Sequence, residues 1–527
     1  MSHLPRFARW CLAAAWLALT ACNSGQSPPD STANPARAKP PAIAWFDGSV
    51  EEAFAVSEDT GKPLFLFWHA KWCGACDNVR ANVFTRPDFI ERTAQFVAVA
   101  LDVDDRGAQR WGEHYGMLGT PTMIVFRPDR TEVVRLSGGV RYQQYARTLD
   151  AALQASESLQ SLLVRARTEP DAIAASDWER LANHAWNVDA GRTVAEDRRI
   201  ETFEELARAS PDPVWRTRFQ VLALAHRTAA ADAPAQALDA ERRAAARGLL
   251  QRVLADAAAR EANRNELVYY GPAMLHAAAP DEQDRAPLRT ALLDYTRSLR
   301  GELGFNSYWP ELKLHRLEAP EQPIPKSLEN AIRDQIRKAL AEASTPVERQ
   351  IASFTGGYLL LDLGYPEEAE ARLAAGIEAA VDPKYHYEFL AKSCEQRGAP
   401  DEALAWQKRG WEAANGPTTF LHAGTIYVDM LVRLRPDEPD AIDAAMTDLL
   451  DGLAMHPDAY YARGRYRLAK LAKVLQPWAR ESNTGALLLA WQRRLNPVCE
   501  TVDEGDGLRS GCRAMFVEST DANRQTS

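Results

Sequence analysis

Two cysteines separated by two residues, Cys73 and Cys76, are the side chains of this sequence best placed to do chemistry. They follow an apolar, aromatic run over 64–72, which is typical of a buried strand and is opened by Gly-Lys-Pro. The segment 77–84 after them contains no helix breaker and is predicted to be helical. The pair is therefore expected at the N-terminus of a helix, where free N–H groups and the helix dipole stabilise a thiolate.

The spacing assigns different roles to the two sulfurs. Cys73 comes first and lies at the open end of the helix, so we expect it to be the nucleophile, and Cys76 can then resolve a mixed disulfide. The alternative is half of a structural zinc site, which needs four ligands. No second cysteine pair follows within the next hundred residues, and His69 and His114 lack the spacing of a zinc finger. We therefore expect no metal and no cofactor beyond a redox-active disulfide.

The N-terminus predicts export. Residues 1–21 contain Arg6 and Arg9 and then a short apolar run, which is the pattern of a signal peptide and too short to span a membrane. The Leu-Thr-Ala-Cys sequence ending at Cys22 resembles the lipobox of bacterial lipoproteins. That resemblance implies cleavage before Cys22 and its lipidation, which would anchor the protein to a membrane. The alternative is an ordinary secretory signal with an incidental cysteine.

The residues after Cys22 give the expected location. Asn23 stands where an aspartate retains many lipoproteins in the inner membrane, so the outer membrane is favoured over the inner one. Either destination places the rest of the chain in the periplasm, where disulfides persist. Residues 22–41 are rich in Ser, Pro, Asn, Gln and Ala and are predicted to form a flexible linker from the lipid anchor.

Composition limits the classes of partner. The 527 residues include 62 Lys and Arg against 72 Asp and Glu, a net charge of −10, which argues against nucleic acid. The length is sufficient for several domains, and abundant Ala, Arg, Glu and Leu indicate a helix-rich protein. Beyond the first 21 residues, no apolar stretch approaches the roughly 20 residues that a spanning helix needs.

Residues 42–155 are predicted to form one α/β domain. A capping box of Ser49 and Glu52 predicts a helix that starts at Val50. Periodicity and turn residues predict the other elements. They are strands at 63–69, 96–101, 123–126 and 131–136, and helices at 77–84, 105–115 and 141–155.

The order of these elements and two motifs resemble the thioredoxin fold. The motifs are Trp-Cys-Gly-Ala-Cys at 72–76 and Gly-Thr-Pro-Thr at 119–122. More narrowly, Gly-Lys-Pro at 61–63 and the segments 83–89 and 97–104 are similar to the DsbD-like branch of that fold. The resemblance covers about a fifth of the chain. It implies dithiol–disulfide exchange with periplasmic protein thiols and disulfides, and a protein electron donor.

The same resemblance assigns residue roles. Cys73 would attack a disulfide and Cys76 would resolve the product. Pro121 would be a cis residue beside the pair, and the backbone of Thr120 would pair with an extended substrate strand. Trp72 would shape the surface beside Cys73.

The sequence departs from the thioredoxin pattern at three points. Phe67 stands where many thioredoxins carry a buried acid, and Ala100 aligns with the lysine that faces that acid. The proton step then depends on water, His69 or Lys71, or it is slow. The dipeptide between the cysteines is Gly-Ala, which favours a reducing or isomerising protein over an oxidising one.

Residues 160–495 are predicted to be an all-α domain of helical repeats. Gly-Tyr-Pro-Glu-Glu-Ala at 364–369 recurs as Gly-Ala-Pro-Asp-Glu-Ala at 398–403, and Pro383 recurs as Pro417, always at an offset of 34 residues. This period resembles that of tetratricopeptide repeats, which stack into a solenoid with a concave surface. We expect that surface to bind a protein or peptide. The alternative is a scaffold without a specific ligand.

Residues 496–527 form the predicted C-terminal tail. Cys499 and Cys512 are expected to close a structural disulfide loop in an oxidising compartment, with a second exchange pair as the alternative. Cys394 is expected to be a buried, inert thiol.

Together these patterns predict a thioredoxin-like domain followed by an all-α, tetratricopeptide-like solenoid. The function they favour is that of a lipid-anchored periplasmic thiol–disulfide oxidoreductase. The alternative is a non-catalytic binding or assembly lipoprotein in which the helical repeats bind the partner and the thioredoxin-like domain is a recognition module.

Overall fold

The computed structural model describes residues 42–138, 141–229 and 234–517. The predicted signal peptide 1–21, the lipidation site Cys22 and the linker 22–41 lie outside the described residues. The last ten residues of the predicted tail also lie outside them.

The first described part is built on one four-stranded sheet. Its strands are β1 Leu64–His69, β2 Val97–Asp102, β3 Thr122–Phe126 and β4 Glu132–Ser137, in the spatial order β2-β1-β3-β4. Strand β1 pairs in parallel with β2 and antiparallel with β3, and β3 pairs antiparallel with β4. The central position of β1 explains why its sequence is continuously apolar, since both of its faces are covered.

Five helices accompany this sheet. They are α1 Val50–Thr60, α2 Gly74–Asn82, α3 Pro87–Thr93, α4 Ala108–His114 and α5 Tyr142–Gln154. The capping box that predicted α1 is present, with the Glu52 N–H donating to Ser49 Oγ at 3.2 Å and the Ser49 N–H donating to Glu52 at 2.7 Å. The sequence analysis did not predict α3, although Pro87 favours a helix start because it lacks a backbone N–H.

The described residues from 159 to 513 are largely helical, which confirms the predicted all-α second part. The helices are α6 Leu159–Thr168, α7 Ala175–Asn183, α8 Arg199–Ala209, α9 Pro213–Ala229, α10 Ala240–Ala255, α11 Ala257–Ala262, α12 Arg264–Tyr269, α13 Gly271–Ala278, α14 Glu282–Ser298, α15 Arg300–Leu303, α16 Trp309–Glu318, α17 Lys326–Glu342, α18 Pro346–Asp362, α19 Pro366–Gly376, α20 Lys384–Gln396, α21 Pro400–Glu412, α22 Pro417–Leu434, α23 Pro439–Met455, α24 Arg463–Glu481, α25 Gly485–Thr501 and α26 Leu508–Arg513.

The sequence repeat coincides with helix pairs in this region. Helices α18 and α19 form one pair, and α20 and α21 form the next. The turns within the pairs contain Gly364 and Gly398, whose φ angles of 84° and 76° favour glycine. Ala369 and Ala403, at equivalent positions, are both fully buried. The predicted boundary at 495/496 falls inside α25, so the helical region extends into what the sequence indicated as a tail.

The sheet domain and the helical region make polar contacts. The Asp104 carboxylate, just after β2, accepts hydrogen bonds from the N–H groups of Thr418 and Thr419 at 3.0 and 3.2 Å and from the Thr419 hydroxyl at 2.8 Å. It thereby caps α22. Glu113 of α4 pairs with Arg465 of α24 at 2.6 Å. These contacts hold α4 and the end of β2 against α22 and α24.

A second set of contacts covers the edge strand β4. The guanidinium of Arg180 donates to the Val133 carbonyl at 2.9 Å, and the Ala185 N–H donates to the Arg135 carbonyl at 3.1 Å. The Arg135 side chain donates to the Val188 carbonyl at 3.0 Å. The polar backbone groups that an edge strand exposes are thus partly satisfied by the helical region. Among the described helices, none is both long and apolar enough to span a membrane.

Candidate active site

The two motif cysteines are joined as a disulfide at the start of α2. Their sulfurs are 2.17 Å apart and their Cα atoms 5.2 Å apart. Cys73 is the N-cap residue of α2, and its sulfur accepts a hydrogen bond from the Cys76 N–H at 3.1 Å. When the pair is reduced, the same N–H and the positive end of the nine-residue helix stabilise a thiolate on Cys73.

The predicted proline loop lies beside the cysteine pair. The Thr120–Pro121 peptide bond is cis. A Cβ atom at Gly138 would lie 2.7 Å from Pro121 Cδ and 3.7 Å from the Cβ of Ala75, so the end of β4, the proline and the motif are in close proximity. The structure therefore brings together Cys73, Cys76 and the 120–121 loop.

The sheet beneath the motif is apolar where the thioredoxin pattern has an acid and a lysine. Phe67 on β1 is the direct register partner of Ala100 on β2. Both line a cavity of about 240 Å³, whose other residues are Ala42, Ile43, Trp45, Arg80 and Phe84. No side chain at these two positions can therefore carry a proton to or from the resolving cysteine.

His69 is held in a structural environment. Its ring stacks on Phe67 with a centroid distance of 5.1 Å, and Nδ1 lies 2.6 Å from Arg80 Nη2. Burial and the positive charges of Arg80 and Lys71 lower the pKa of His69 to about 3. At neutral pH the ring is therefore uncharged and a weak base, which argues against His69 as the proton relay.

The helical region packs directly on the motif. A Cβ atom at Gly74 would lie 2.9 Å from Cγ1 of Ile351 in α18, so only glycine allows this close approach without movement. The Trp72 indole lies 6.0 Å from the Tyr385 ring in an edge arrangement, and Lys384 Nζ lies 4.0 Å above the Trp72 ring. One wall of the candidate site therefore comes from α18 and α20.

This packing leaves little of the sulfur pair exposed. Trp72 and Cys73 are each 5% exposed, and Cys76 is fully buried. Pro121 is buried as well, whereas Ala75 is exposed. Cys73 is therefore the slightly more exposed of the two residues.

A buried polar cluster lies behind Trp72. Lys384 Nζ is 3.8 Å from Glu388, which in turn is 2.7 Å from the His422 ring nitrogen. Burial lowers the pKa of Lys384 to about 8, although the Glu388 charge opposes this shift. Burial alone would raise the pKa of Glu388, but the hydrogen bond from His422 and the charge of Lys384 lower it. The cluster thus keeps an ion pair next to the motif.

Sequence reasoning did not identify Ile351, Tyr385 or Lys384 as site residues. They lie more than 270 residues after the cysteines, and no local pattern marks them. The only signal is the dense polar and aromatic run Lys-Tyr-His-Tyr at 384–387, at the start of a repeat helix.

The other described cysteines form a second disulfide and one free thiol. Cys499 and Cys512 form a second disulfide with sulfurs 1.97 Å apart, and both residues are fully buried. Cys394 is a free, buried thiol whose pKa is raised by burial and by the charge of Glu370. Within the described ranges, no group of three or more His, Cys, Asp or Glu side chains could hold a metal ion.

Comparison with known proteins agrees with this geometry. Residues 50–153 match the family described as a thioredoxin-like domain. This segment contains both cysteines and the cis-proline loop.

Three curated relatives are similar to the same part of the chain. They are thiol:disulfide interchange proteins named DsbD from Pseudomonas aeruginosa (DsbD 1), Haemophilus ducreyi and Actinobacillus pleuropneumoniae. The identities are 27% over 85 residues, 28% over 89 and 28% over 94, which is 16% or 17% of this chain. The matches span only 14% to 16% of the relatives' own lengths. The similarity thus concerns one domain of each protein.

Proposed function

We propose that this protein is a periplasmic, lipid-anchored thiol–disulfide oxidoreductase that exchanges or reduces disulfides through Cys73 and Cys76. The observation that carries the proposal is the oxidised Cys-Gly-Ala-Cys pair at the N-terminus of α2, beside a cis-proline loop in a thioredoxin-like domain. The similarity to proteins named for thiol:disulfide interchange supports the same reaction class.

The reaction follows from the arrangement of the two sulfurs. The Cys73 thiolate attacks one sulfur of a substrate disulfide, that bond breaks, and the leaving thiolate takes a proton from solvent. The Cys76 thiolate then attacks Cys73, forms the intramolecular disulfide and releases the second substrate thiol. Two electrons pass from the protein to the substrate, and a protein electron donor restores the dithiol. The disulfide is the redox centre, without a metal or a separate cofactor.

The location rests on the sequence. The signal-like segment 1–21 and the lipobox-like sequence ending at Cys22 support export and lipid anchoring, with the outer membrane favoured by Asn23. The second buried disulfide, between Cys499 and Cys512, is compatible with an oxidising compartment. Metabolic labelling with a fatty acid analogue tests the anchor, because a Cys22→Ala variant should lose the label.

One observation favours a second candidate function. The helical region covers the motif, with Ile351 against Gly74 and Cys73 only 5% exposed. A protein that only recognises partners, through the thioredoxin-like domain or the helical repeats, does not need an accessible sulfur. The second candidate is therefore a binding or assembly lipoprotein with little turnover.

Trapping in cells distinguishes the two candidates. In a Cys76→Ser variant the mixed disulfide on Cys73 cannot be resolved, so substrates should accumulate as adducts that disappear on reduction. The matched Cys73→Ser variant should form none. Defined adducts would establish exchange chemistry and identify substrates. Two negative results together would contradict the oxidoreductase proposal and favour the binding protein. The Cys76→Ser variant would form no adducts in cells, and the unmodified protein would reduce no insulin in vitro.

A further inference from the structure

Two arginines of α24 near the redox motif form no ion pair among the described residues. Arg463 and Arg467 lie four residues apart on α24 and therefore share one helix face. Neither makes a hydrogen bond or an ion pair with any side chain in the described ranges, whereas Arg465 between them pairs with Glu113. Both are partly buried. Like charges at this spacing repel each other, so the arrangement costs free energy in the unliganded protein.

Arg463 and a third cation, Lys384, are adjacent to Trp72. The guanidinium carbon of Arg463 lies 5.7 Å from the Trp72 ring centroid, and Lys384 Nζ lies 4.0 Å from it. Arg467 belongs to the same cluster, because burial and the charge of Arg463 lower its pKa to about 10. The charge of Glu388 opposes this shift without forming an ion pair with Arg467.

Trp72 itself carries an unsatisfied donor. It is 5% exposed, and its indole N–H makes no hydrogen bond within the described residues. Buried indole N–H groups usually find an acceptor. The indole N–H groups of Trp68, Trp178 and Trp186 are unsatisfied as well, so the two arginines carry the argument for an anion, and a carboxylate oxygen is also an acceptor for an N–H.

Cys73 directly follows Trp72, so an anion held beside the indole is close to the reactive sulfur. Consecutive Cα atoms are about 3.8 Å apart, and an extended tripeptide spans roughly 10 Å. A disulfide-bearing peptide of that size can place its sulfur at Cys73 and a carboxylate at the cations. A folded protein surface is a poorer fit because Ile351 packs on Gly74 and the exposed fraction of Cys73 is 5%.

We propose that Arg463, Arg467 and Lys384 form, with Trp72, a binding site for the carboxylates of a small anionic disulfide or thiol that exchanges with Cys73. The inference rests on the proposed exchange function and names its substrate class. Glutathione is a suitable probe because each half of its disulfide carries two carboxylates.

The exchange balances in atoms and electrons. The Cys73 thiolate attacks one sulfur of the small disulfide, which splits into a mixed disulfide with Cys73 and a free thiolate. The Cys76 thiolate then displaces the second small thiolate and closes the protein disulfide. The protein dithiol loses two electrons, the small disulfide gains them, and the cysteine protons pass through solvent to the released thiolates.

The test compares a charged with a neutral disulfide on the full chain. The reduced protein is mixed with oxidised glutathione or with hydroxyethyl disulfide, and the second-order rate constant of its oxidation is measured for each. In an Arg463→Gln, Arg467→Gln variant we expect the constant for glutathione disulfide to fall about tenfold, the scale of one lost charge-assisted contact. The constant for the neutral disulfide should change less than twofold.

An Arg493→Gln variant is the matched control. Arg493 is an exposed arginine on α25 for which no ion pair occurs in the described part of the chain, so its loss should change neither constant. Far-UV circular dichroism of each variant verifies folding. In the unmodified protein, added salt should slow the reaction with glutathione disulfide and leave the neutral reaction unchanged. This measurement needs no variant.

Equal changes in both rate constants, or equal salt dependence for both disulfides, would overturn the anion site while the exchange function stands. A reduced protein that reacts with neither small disulfide nor insulin would instead refute the proposed function itself.

Discussion

Replacement of Asp104 by alanine is expected to loosen the contact between the thioredoxin-like domain and the helical region. The Asp104 carboxylate accepts three hydrogen bonds from Thr418 and Thr419, at 2.8 to 3.2 Å, and so caps the N-terminus of α22. The fit is close, since a Cβ atom at Gly416 would lie 2.5 Å from Asp104 Cβ. Loss of an N-cap costs about 0.5–2 kcal/mol, and the additional hydroxyl contact adds to it.

We therefore expect the interface to weaken by about 2 kcal/mol, which raises the population of molecules with separated parts about 30-fold. The free energy of unfolding, measured with urea, should fall by a similar amount. The sharper readout is the accessibility of Cys73. In a Cys76→Ser background, its modification by a bulky polyethylene glycol maleimide should accelerate about 30-fold, because the reagent reacts only with the opened form.

The matched control is Asp239→Ala, which removes the N-cap of α10 within the helical region. The Asp239 carboxylate accepts from the Arg242 N–H at 2.8 Å and has no role at the interface. This variant should lose stability without faster modification of Cys73, which peptide mapping identifies as the labelled residue. If Asp104→Ala lowers stability but leaves the Cys73 rate unchanged, the helical region does not gate the sulfur through this contact, and the reasoning fails.

Three further predictions concern the motif, the buried cluster and the second disulfide. Gly74→Ala should destabilise the protein because the new methyl group meets Ile351, and Ile351→Ala should relieve this clash. We expect a coupling energy of about 1 kcal/mol between the two substitutions in a double-mutant cycle. Additive effects would contradict the close packing. Because the pKa of Lys384 is about 8 in the folded protein and 10.5 ordinarily, the unfolded chain binds more protons between these values. The stability of the unmodified protein relative to Lys384→Met should therefore rise by about 2 kcal/mol from pH 8 to pH 10, and a flat difference would show that Lys384 is not buried as a titrating group. Replacement of Cys499 and Cys512 by serine should cost about 3 kcal/mol in urea unfolding without a reductant, and no loss would mean that the loop constraint is unimportant.

The sequence predicted the elements that depend on local chemistry. Strand β1 was recognisable because a central strand is apolar on both faces, and α1 because Ser49 and Glu52 form a capping box. The Cys73–Cys76 motif was located correctly at a helix start for the same reason, since an apolar run followed by a segment free of breakers is readable within about 20 residues.

Contacts between segments far apart in the sequence could not be predicted from such local patterns. Asp104 lies just after β2, yet the helix that it caps begins at Pro417, more than 300 residues later. The sequence shows that an aspartate near a strand end is suited to cap a helix, but it does not show which helix packs against that strand end. Ile351 likewise sits at an unremarkable position of α18, and only the packing of that helix on Gly74 gives it a role.

The charged residues at the interface indicate whether the helical region only covers the motif or also helps to bind a ligand. If it served only as a cover, its polar groups would be expected to pair across the interface, as Asp104 does with α22 and Glu113 with Arg465. Arg463 and Arg467 instead form no ion pair among the described residues, and Arg463 lies beside Trp72, the residue before the reactive cysteine. Unpaired, partly buried cations are costly to keep, and a site that binds an anion is a physical reason to keep them. Gating and recognition then have one structural origin, because the helical region that restricts access to Cys73 through α18 and α20 also presents the arginines of α24 that select what reaches it.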